Sequence, residues 1–85
     1  MGLSARDRAI LDFERSWWRL DGTKEVEIRA RLAMSGTRYY RRLAELVDLP
    51  DALTYDPLTV KRLRRYRDER RRARFEGRRA DPGSR

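Results

Sequence analysis

The sequence contains no cysteine and no histidine. Without cysteine, the chain can form no disulfide and offers no thiolate to a metal ion. It also lacks the two side chains that most often act as general base or activated nucleophile near neutral pH. The serines at positions 4, 16 and 35 have no activating base in the surrounding sequence. We therefore predict that the protein is not an enzyme and that it holds no metal ion and no cofactor.

Long apolar runs are missing as well. No run approaches the roughly 18 apolar residues that a transmembrane helix needs. Residues 1–8 lead directly into an amphipathic pattern and contain no signal-peptide core. These absences predict a cytoplasmic protein that does not bind membranes.

Charge is abundant and unevenly placed along the 85 residues. The whole chain carries 22 Lys and Arg against 14 Asp and Glu, a net charge of +8. Residues 1–55 have 10 basic and 9 acidic residues, whereas residues 56–85 have 12 and 5. The excess is thus +1 in the first part and +7 in the second. Such a basic extension indicates a polyanionic partner, either nucleic acid or another anionic surface.

The N-terminal part of the chain predicts a first helix that ends near Leu20. Ser4 can cap this helix, and Asp7 suits its first turn. Apolar residues recur at helical spacing and include Trp17 and Trp18, which we interpret as packing residues, with base stacking or partner binding as the alternative. Gly22 is predicted to end the helix in the left-handed conformation.

Residues 28–43 carry the central structural pattern of the sequence. They predict two short helices around a tight turn, with Ser35 as the cap of the second helix. One face of that helix has apolar residues at i, i+4 and i+7, namely Tyr39, Leu43 and Leu46. The pattern is typical of a DNA-binding helix-turn-helix with residues 36–47 as the recognition helix.

Two arginines depart from the usual helix-turn-helix pattern. Arg29 stands where a small residue normally permits close approach of the helices. Arg42 stands immediately before Leu43, at a position where an apolar residue is common. These departures leave a second interpretation open, in which a plain helical bundle uses the same spacing for another purpose.

If the second helix contacts DNA, its outward residues have distinct roles. Arg38 or Arg41 would read guanine O6 and N7, and Tyr40 would pack on a sugar or a thymine methyl group. The start of the helix would bind phosphate through backbone amides and the cap hydroxyl. Arginines further along the chain would add affinity through counterion release. The full set of predicted DNA-binding residues is Ser35, Gly36, Thr37, Arg38, Tyr40, Arg41, Arg42, Lys61, Arg64, Arg65, Arg71 and Arg72.

The C-terminal part predicts a last helix that begins at Asp56 and Pro57, the former as cap and the latter as first helical residue. Residues 51–55 are expected to form one helical turn. We expect an all-α fold with three or four helices. Its helix-turn-helix domain would span residues 1–66, and residues 67–85 would form a basic helical extension with a disordered tail.

Several segments of the chain resemble a family of short actinobacterial proteins catalogued as a domain of unknown function. They are Leu3–Asp7, Phe13–Trp18, Met34–Tyr40, Asp56–Pro57 and Val60–Arg64. The resemblance covers roughly residues 3–75. It implies a high-GC Gram-positive source and carries no established activity.

The sequence therefore predicts a DNA-binding helix-turn-helix protein, either a transcriptional regulator or a chromosome-associated factor. The alternative is a protein-interaction module that binds RNA polymerase, a sigma factor or another regulator through the Trp17/Trp18 face or the basic helix. RNA or ribosome binding through the Arg-rich segment is a third option. The oligomeric state stays open, because no heptad repeat is sustained.

Overall fold

The computed structural model describes the backbone of residues 2–84 and the side chains of residues 2–75. Within this part of the chain there are five α-helices, one 3-10 turn and no strand. The helices are α1 (Ala5–Ser16), α2 (Lys24–Leu32), α3 (Gly36–Leu46), α4 (Pro50–Tyr55) and α5 (Pro57–Ser84), and the 3-10 turn is Trp17–Arg19. The prediction of a small all-α fold is confirmed. None of the described helices is long and apolar enough to cross a membrane.

The number of helices exceeds the prediction because Pro50 begins a helix as well as ending the preceding segment. Leu49 is extended, with φ −88° and ψ 132°, and Pro50 occupies the first turn of α4. Proline is well suited to that position because its fixed φ is already helical and its missing N–H is not needed there.

The N-terminal caps predicted at Ser4, Ser35 and Asp56 are present, and Thr23 caps α2 in the same way. In each case a side-chain oxygen accepts a hydrogen bond from the backbone N–H three residues on, which satisfies a donor that the helix itself cannot. The pairs are Ser4 with Asp7 at 3.0 Å, Thr23 with Val26 at 3.3 Å, Ser35 with Arg38 at 3.2 Å and Asp56 with Thr59 at 3.2 Å. Local sequence therefore determines where α1, α2, α3 and α5 begin.

The first helix ends earlier than predicted, at Ser16 and not near Leu20. Ser16 leaves the helical region with φ −134° and ψ 5°, and the next three residues form the 3-10 turn. The tighter turn separates the two tryptophans. Trp17 packs against the core, whereas 62% of Trp18 is exposed. The interpretation of both as packing residues is therefore wrong for Trp18.

Among the described residues, the left-handed conformation is adopted by Ala33, with φ 56° and ψ 41°, and not by Gly22 as predicted. Gly22 serves a close approach instead. Its backbone N–H donates to Glu27 Oε2 at 3.1 Å, and a Cβ at this position would lie only 2.7 Å from that oxygen. A larger residue at position 22 would displace the end of the Glu27 side chain, while the reversal of chain direction is made after α2.

The core lies around α1, which packs against each of the other four α-helices. Its buried residues come from every helix and from the turn before α3: Ile10, Leu11, Phe13, Ile28, Met34, Tyr39, Leu43, Leu46, Ala52 and Val60. Among the described side chains of α5, only those of the first two turns reach this core, through Thr59, Val60 and the partly buried Leu63.

The predicted domain boundary after Tyr66 falls inside α5, which continues across it to Ser84. The predicted disordered tail covers residues from 77 onward, whose side chains lie outside the described part of the chain. Both stay predictions.

Candidate nucleic-acid interface

The connection between α2 and α3 consists of residues 33–35 alone. Ala33 reverses the chain in the left-handed conformation, and its N–H bonds back to the Arg29 carbonyl at 3.1 Å. Met34 is buried, which pins the middle of the connection to the core. Ser35 is extended and caps α3. Two helices are thus joined by a short, fixed turn, and α3 begins at the predicted residue.

The exposed side of α3 is set by the helical repeat of about 3.6 residues per turn. Its buried face holds the predicted apolar triad of Tyr39, Leu43 and Leu46, each less than 9% exposed. The opposite stripe follows the same i, i+4, i+7 spacing and consists of Thr37, Arg41 and Ala44, all exposed. Arg41 and Thr37 therefore occupy the centre of the outward face.

Arg38 and Tyr40 flank that central stripe on opposite sides. Arg38 lies on the side of α1, where it lines a depression with Arg6. Tyr40 is 42% exposed and lies on the side of α2 and α5. Within the described part of the chain, the side chains of Arg38 and Arg41 form no hydrogen bond and no ion pair. Two uncompensated guanidinium groups are therefore presented by the N-terminal half of α3.

The start of α3 adds polar groups to the same surface. Ser35 and Gly36 are partly exposed and Thr37 is exposed, and all three line a shallow groove against α2. The first amides of a helix have no acceptor inside it, and the helix dipole makes this end favourable for an anion. The structure thus brings together five of the predicted residues on α3 with the Ser35 cap.

Arg42, predicted to bind DNA, is instead held by two carboxylates. Its Nε and NH2 atoms donate to the two oxygens of Asp7 at 2.9 and 2.8 Å, and NH1 donates to Glu45 at 2.7 Å. The expectation that Arg42 is free to meet an anion is wrong, because this position of α3 faces α1. The hydrogen bonds from Arg42 lower the pKa of the buried Asp7 carboxyl and raise the pKa of Arg42 itself.

Arg6 belongs to the same surface, although no sequence pattern selects it. It lines a depression of about 270 Å³ together with Asp7, Met34, Arg38, Arg41, Arg42 and Glu45. The Arg6 NH1 atom lies 3.9 Å from the Met34 sulfur. Only the packing of α1 against α3 brings Arg6 here, and nothing in the local sequence around position 6 encodes that packing.

Lys24 of α2 lies among three aromatic rings, two of which belong to α3. The Lys24 ammonium lies 3.0 Å from Glu14 Oε1 and 5.2, 5.6 and 5.1 Å from the ring centres of Trp17, Tyr39 and Tyr40. The Tyr39 hydroxyl donates to Glu14. Burial, and then this bond to Glu14, raise the pKa of Tyr39. The cluster joins α1, α2 and α3, and it holds Tyr40 at the edge of the outward face.

The basic residues of α5 divide between two sides of that helix. On the side of α3, Arg64 Nε donates to the Val47 carbonyl at 2.6 Å and Arg67 NH1 to Asp48 at 2.7 Å. Arg70 lines a groove with Tyr40 and Ala44 of α3. The hydrogen bond from Arg67 lowers the pKa of Asp48, and the charges of Arg67, Arg64 and Arg71 add to the effect. Arg67 and Arg70 were not among the predicted residues.

The other three predicted residues of α5 are Lys61, Arg65 and Arg72. They are exposed and spaced at i, i+4 and i+11, which places them on one stripe. By the same repeat, that stripe lies opposite Leu63, Arg67 and Arg70, which face the core and α3. The structure therefore brings Arg64 and Arg71 towards α3 and leaves Lys61, Arg65 and Arg72 on the far side.

These features define a small helical protein with an arginine-rich face on its third helix. Among the described residues, no cluster of three or more acidic side chains is arranged to hold a metal ion. The chain belongs to the family described as Protein of unknown function (DUF3263), which matches residues 2–75. That match agrees with the extent of the resemblance seen in the sequence. No curated protein and no solved structure matches the chain.

Proposed function

We propose that the protein is a DNA-binding helix-turn-helix protein that acts at the nucleoid, as a transcriptional regulator or a chromosome-associated factor. In this proposal α2 and α3 form the helix-turn-helix, and α3 docks in the major groove of double-stranded DNA. The major groove is about 12 Å wide and admits one α-helix.

The observation that carries the proposal is that Arg41, at the centre of the outward face of α3, has no hydrogen-bond or ion-pair partner among the residues whose side chains are described. Most acidic side chains near this face are already engaged: Asp7 and Glu45 by Arg42, and Asp48 by Arg67. An arginine without a carboxylate partner, on the exposed face of a helix that begins with free amides, suits bidentate contact with guanine. Arg38 and the start of α3 supply phosphate contacts on either side.

The proposal is tested by measuring affinity for a duplex selected from a random pool and for a scrambled duplex of equal length. Arg41→Ala should lose about 1–3 kcal/mol on the selected duplex and clearly less on the scrambled one. Arg65→Ala removes the same charge from the far side of α5 and is the matched control. Equal losses for the two variants on both duplexes would contradict base reading by Arg41, and absence of any duplex binding at low salt would reject the proposal.

A second candidate function is the binding of a component of the transcription machinery, and it is favoured by the exposure of Trp18. Large exposed aromatic side chains are enriched at protein interfaces. The indole N–H donates to the Arg15 carbonyl and Arg19 stacks 5.0 Å from the ring centre, so the side chain is held on the surface. Trp18→Ser should then abolish binding to purified RNA polymerase holoenzyme and leave DNA affinity unchanged. Unchanged binding of the polymerase would exclude this use of Trp18.

A further inference from the structure

We propose that Arg6 of α1 and Arg38 of α3 form a clamp for a single phosphate group beside the outward face of α3. The inference rests on the proposed function in one respect, since the phosphate is taken to be a backbone phosphate of DNA. It divides the roles of the two exposed arginines of α3: Arg41 reads bases and Arg38 positions the helix.

The charge balance of the depression supports an anionic ligand. Four arginines line it, at positions 6, 38, 41 and 42, against the two carboxylates of Asp7 and Glu45. Both carboxylates bind Arg42 at 2.7–2.9 Å. The charge of Arg42 is therefore compensated, and the other three arginines line the same depression without a carboxylate partner among the described residues. An anion between them would relieve the repulsion of their like charges.

The position of the two clamp arginines is set before any ligand binds. Arg6 precedes Asp7, whose bidentate pair with Arg42 ties the first turn of α1 to α3. Arg38 lies one helical turn before Arg42 on α3. The buried Met34 lies just before α3 and contacts the Arg6 guanidinium. Both backbones are thus fixed beside the same depression, which lowers the entropy cost of closing two guanidinium groups on one phosphate. Guanidinium is the side-chain group best matched to phosphate oxygens.

The position of Arg38 on the surface of α3 favours contact with the DNA backbone over contact with bases. Arg42, one turn further on, faces α1, and the stripe opposite the core runs through Thr37, Arg41 and Ala44. Arg38 stands between these two directions, at the edge of the face. When a helix lies in the major groove, its central stripe meets base edges and its flanks meet the two phosphate backbones.

The test uses Arg6→Gln and Arg38→Gln in the full chain, with Arg8→Gln as the control. Arg8 loses the same charge on the same helix, but it lies on the side of α4, near Tyr55. Affinity is measured against salt concentration on the selected and the scrambled duplex, and inorganic phosphate is titrated while the Arg side-chain N–H signals are followed by NMR.

We expect Arg6→Gln and Arg38→Gln each to make the slope of log affinity against log salt shallower by about 0.9, the value for one phosphate, equally on both duplexes. The double variant should lose no more than either single variant, because both bind one phosphate. Arg8→Gln should leave the slope unchanged. Identical slopes for Arg6→Gln and Arg8→Gln would overturn the clamp while leaving DNA binding by α3 intact.

If the protein binds neither duplex, the proposed function fails and the phosphate titration decides the clamp. A phosphate-induced shift of the Arg6 side-chain signal that disappears in Arg38→Gln, together with a shift of the Arg38 signal that disappears in Arg6→Gln, would support a site for a free phosphate group. No shift at either arginine would overturn the inference as well.

Discussion

At the scale of single residues, the turn between α2 and α3 depends on a side chain in an unfavourable conformation. Ala33 has φ 56°, a region in which a Cβ costs about 1–2 kcal/mol. Glycine removes that cost and is the usual residue at the end of a helix. The strain is confined to the turn, so relieving it leaves the residues of the candidate interface in place.

We therefore predict that Ala33→Gly stabilises the protein by about 0.5–1 kcal/mol, since relief of the strain exceeds the added flexibility of the unfolded chain, about 0.4–1 kcal/mol. Ala30→Gly is the matched control, an exposed position inside α2 where the same change should destabilise by about 1 kcal/mol. Urea denaturation of both variants measures the difference. Destabilisation by both changes would contradict the left-handed conformation of Ala33.

At the scale of helices, the bidentate pair of Asp7 and Arg42 couples α1 to α3. The pKa of Asp7 lies below its ordinary value in the folded protein, chiefly because of the hydrogen bonds from Arg42. A carboxyl with a lowered folded pKa stabilises the fold above its unfolded pKa, about 3.9. That contribution is lost as the pH falls through the folded pKa. The coupling of α1 to α3 should therefore weaken in acid.

Asp7→Asn should lower the free energy of unfolding by about 1–2 kcal/mol at pH 7, a value reduced by the partial exposure of Arg42. As the pH falls from the unfolded pKa, about 3.9, through the lowered folded pKa, the difference from the wild type should shrink, because the unfolded chain binds a proton at Asp7 before the folded protein does. Denaturant unfolding of the wild type and of Asp7→Asn across this pH range measures the difference in the free energy of unfolding. Asp21→Asn, at an exposed position before α2, controls for the removal of one negative charge. A difference that stays constant down to pH 2 would show that the pair does not stabilise the fold.

Also at the scale of helices, the two sides of α5 should contribute unequally to DNA binding. Replacing Arg67, Arg70 and Arg71 by Gln removes three charges beside α3. Replacing Lys61, Arg65 and Arg72 by Gln removes three charges from the far side. The first triple variant should have a shallower salt dependence, by up to about 0.9 for each phosphate that is no longer bound, and the second a nearly unchanged one. Equal slopes would mean that α5 acts through net charge alone.

At the scale of the whole molecule, the sequence predicts those structural features that depend on residues close together along the chain. The caps at Ser4, Thr23, Ser35 and Asp56 and the apolar face of α3 are short-range patterns, and the structure has each of them. The predicted end of α1, near Leu20, lies beyond the observed end at Ser16. The apolar periodicity continues through a 3-10 turn that keeps Trp17 packed against the core, so it does not mark where the α-helix stops.

The features that sequence reasoning missed all depend on contacts between distant helices. Arg42 looked exposed because the helical repeat of α3 does not show that Asp7 lies 35 positions away in sequence and 2.8 Å away in space. The same holds for Lys24 among its aromatic rings, and for Arg6 beside Arg38. The division of the arginines of α5 between two sides required knowing which face of α5 packs on the core.

The central claim is that α3 is the surface that meets DNA, and NMR mapping with a selected duplex tests it most directly. In titrations of the ¹⁵N-labelled full chain, we predict the largest shifts at the amides of residues 35–41 and at the side-chain N–H groups of Arg6, Arg38 and Arg41. The indole N–H of Trp18 and the amides around Lys61 and Arg65 should change little. Shifts concentrated at Trp18 or on the far side of α5, with residues 35–41 unaffected, would contradict the account.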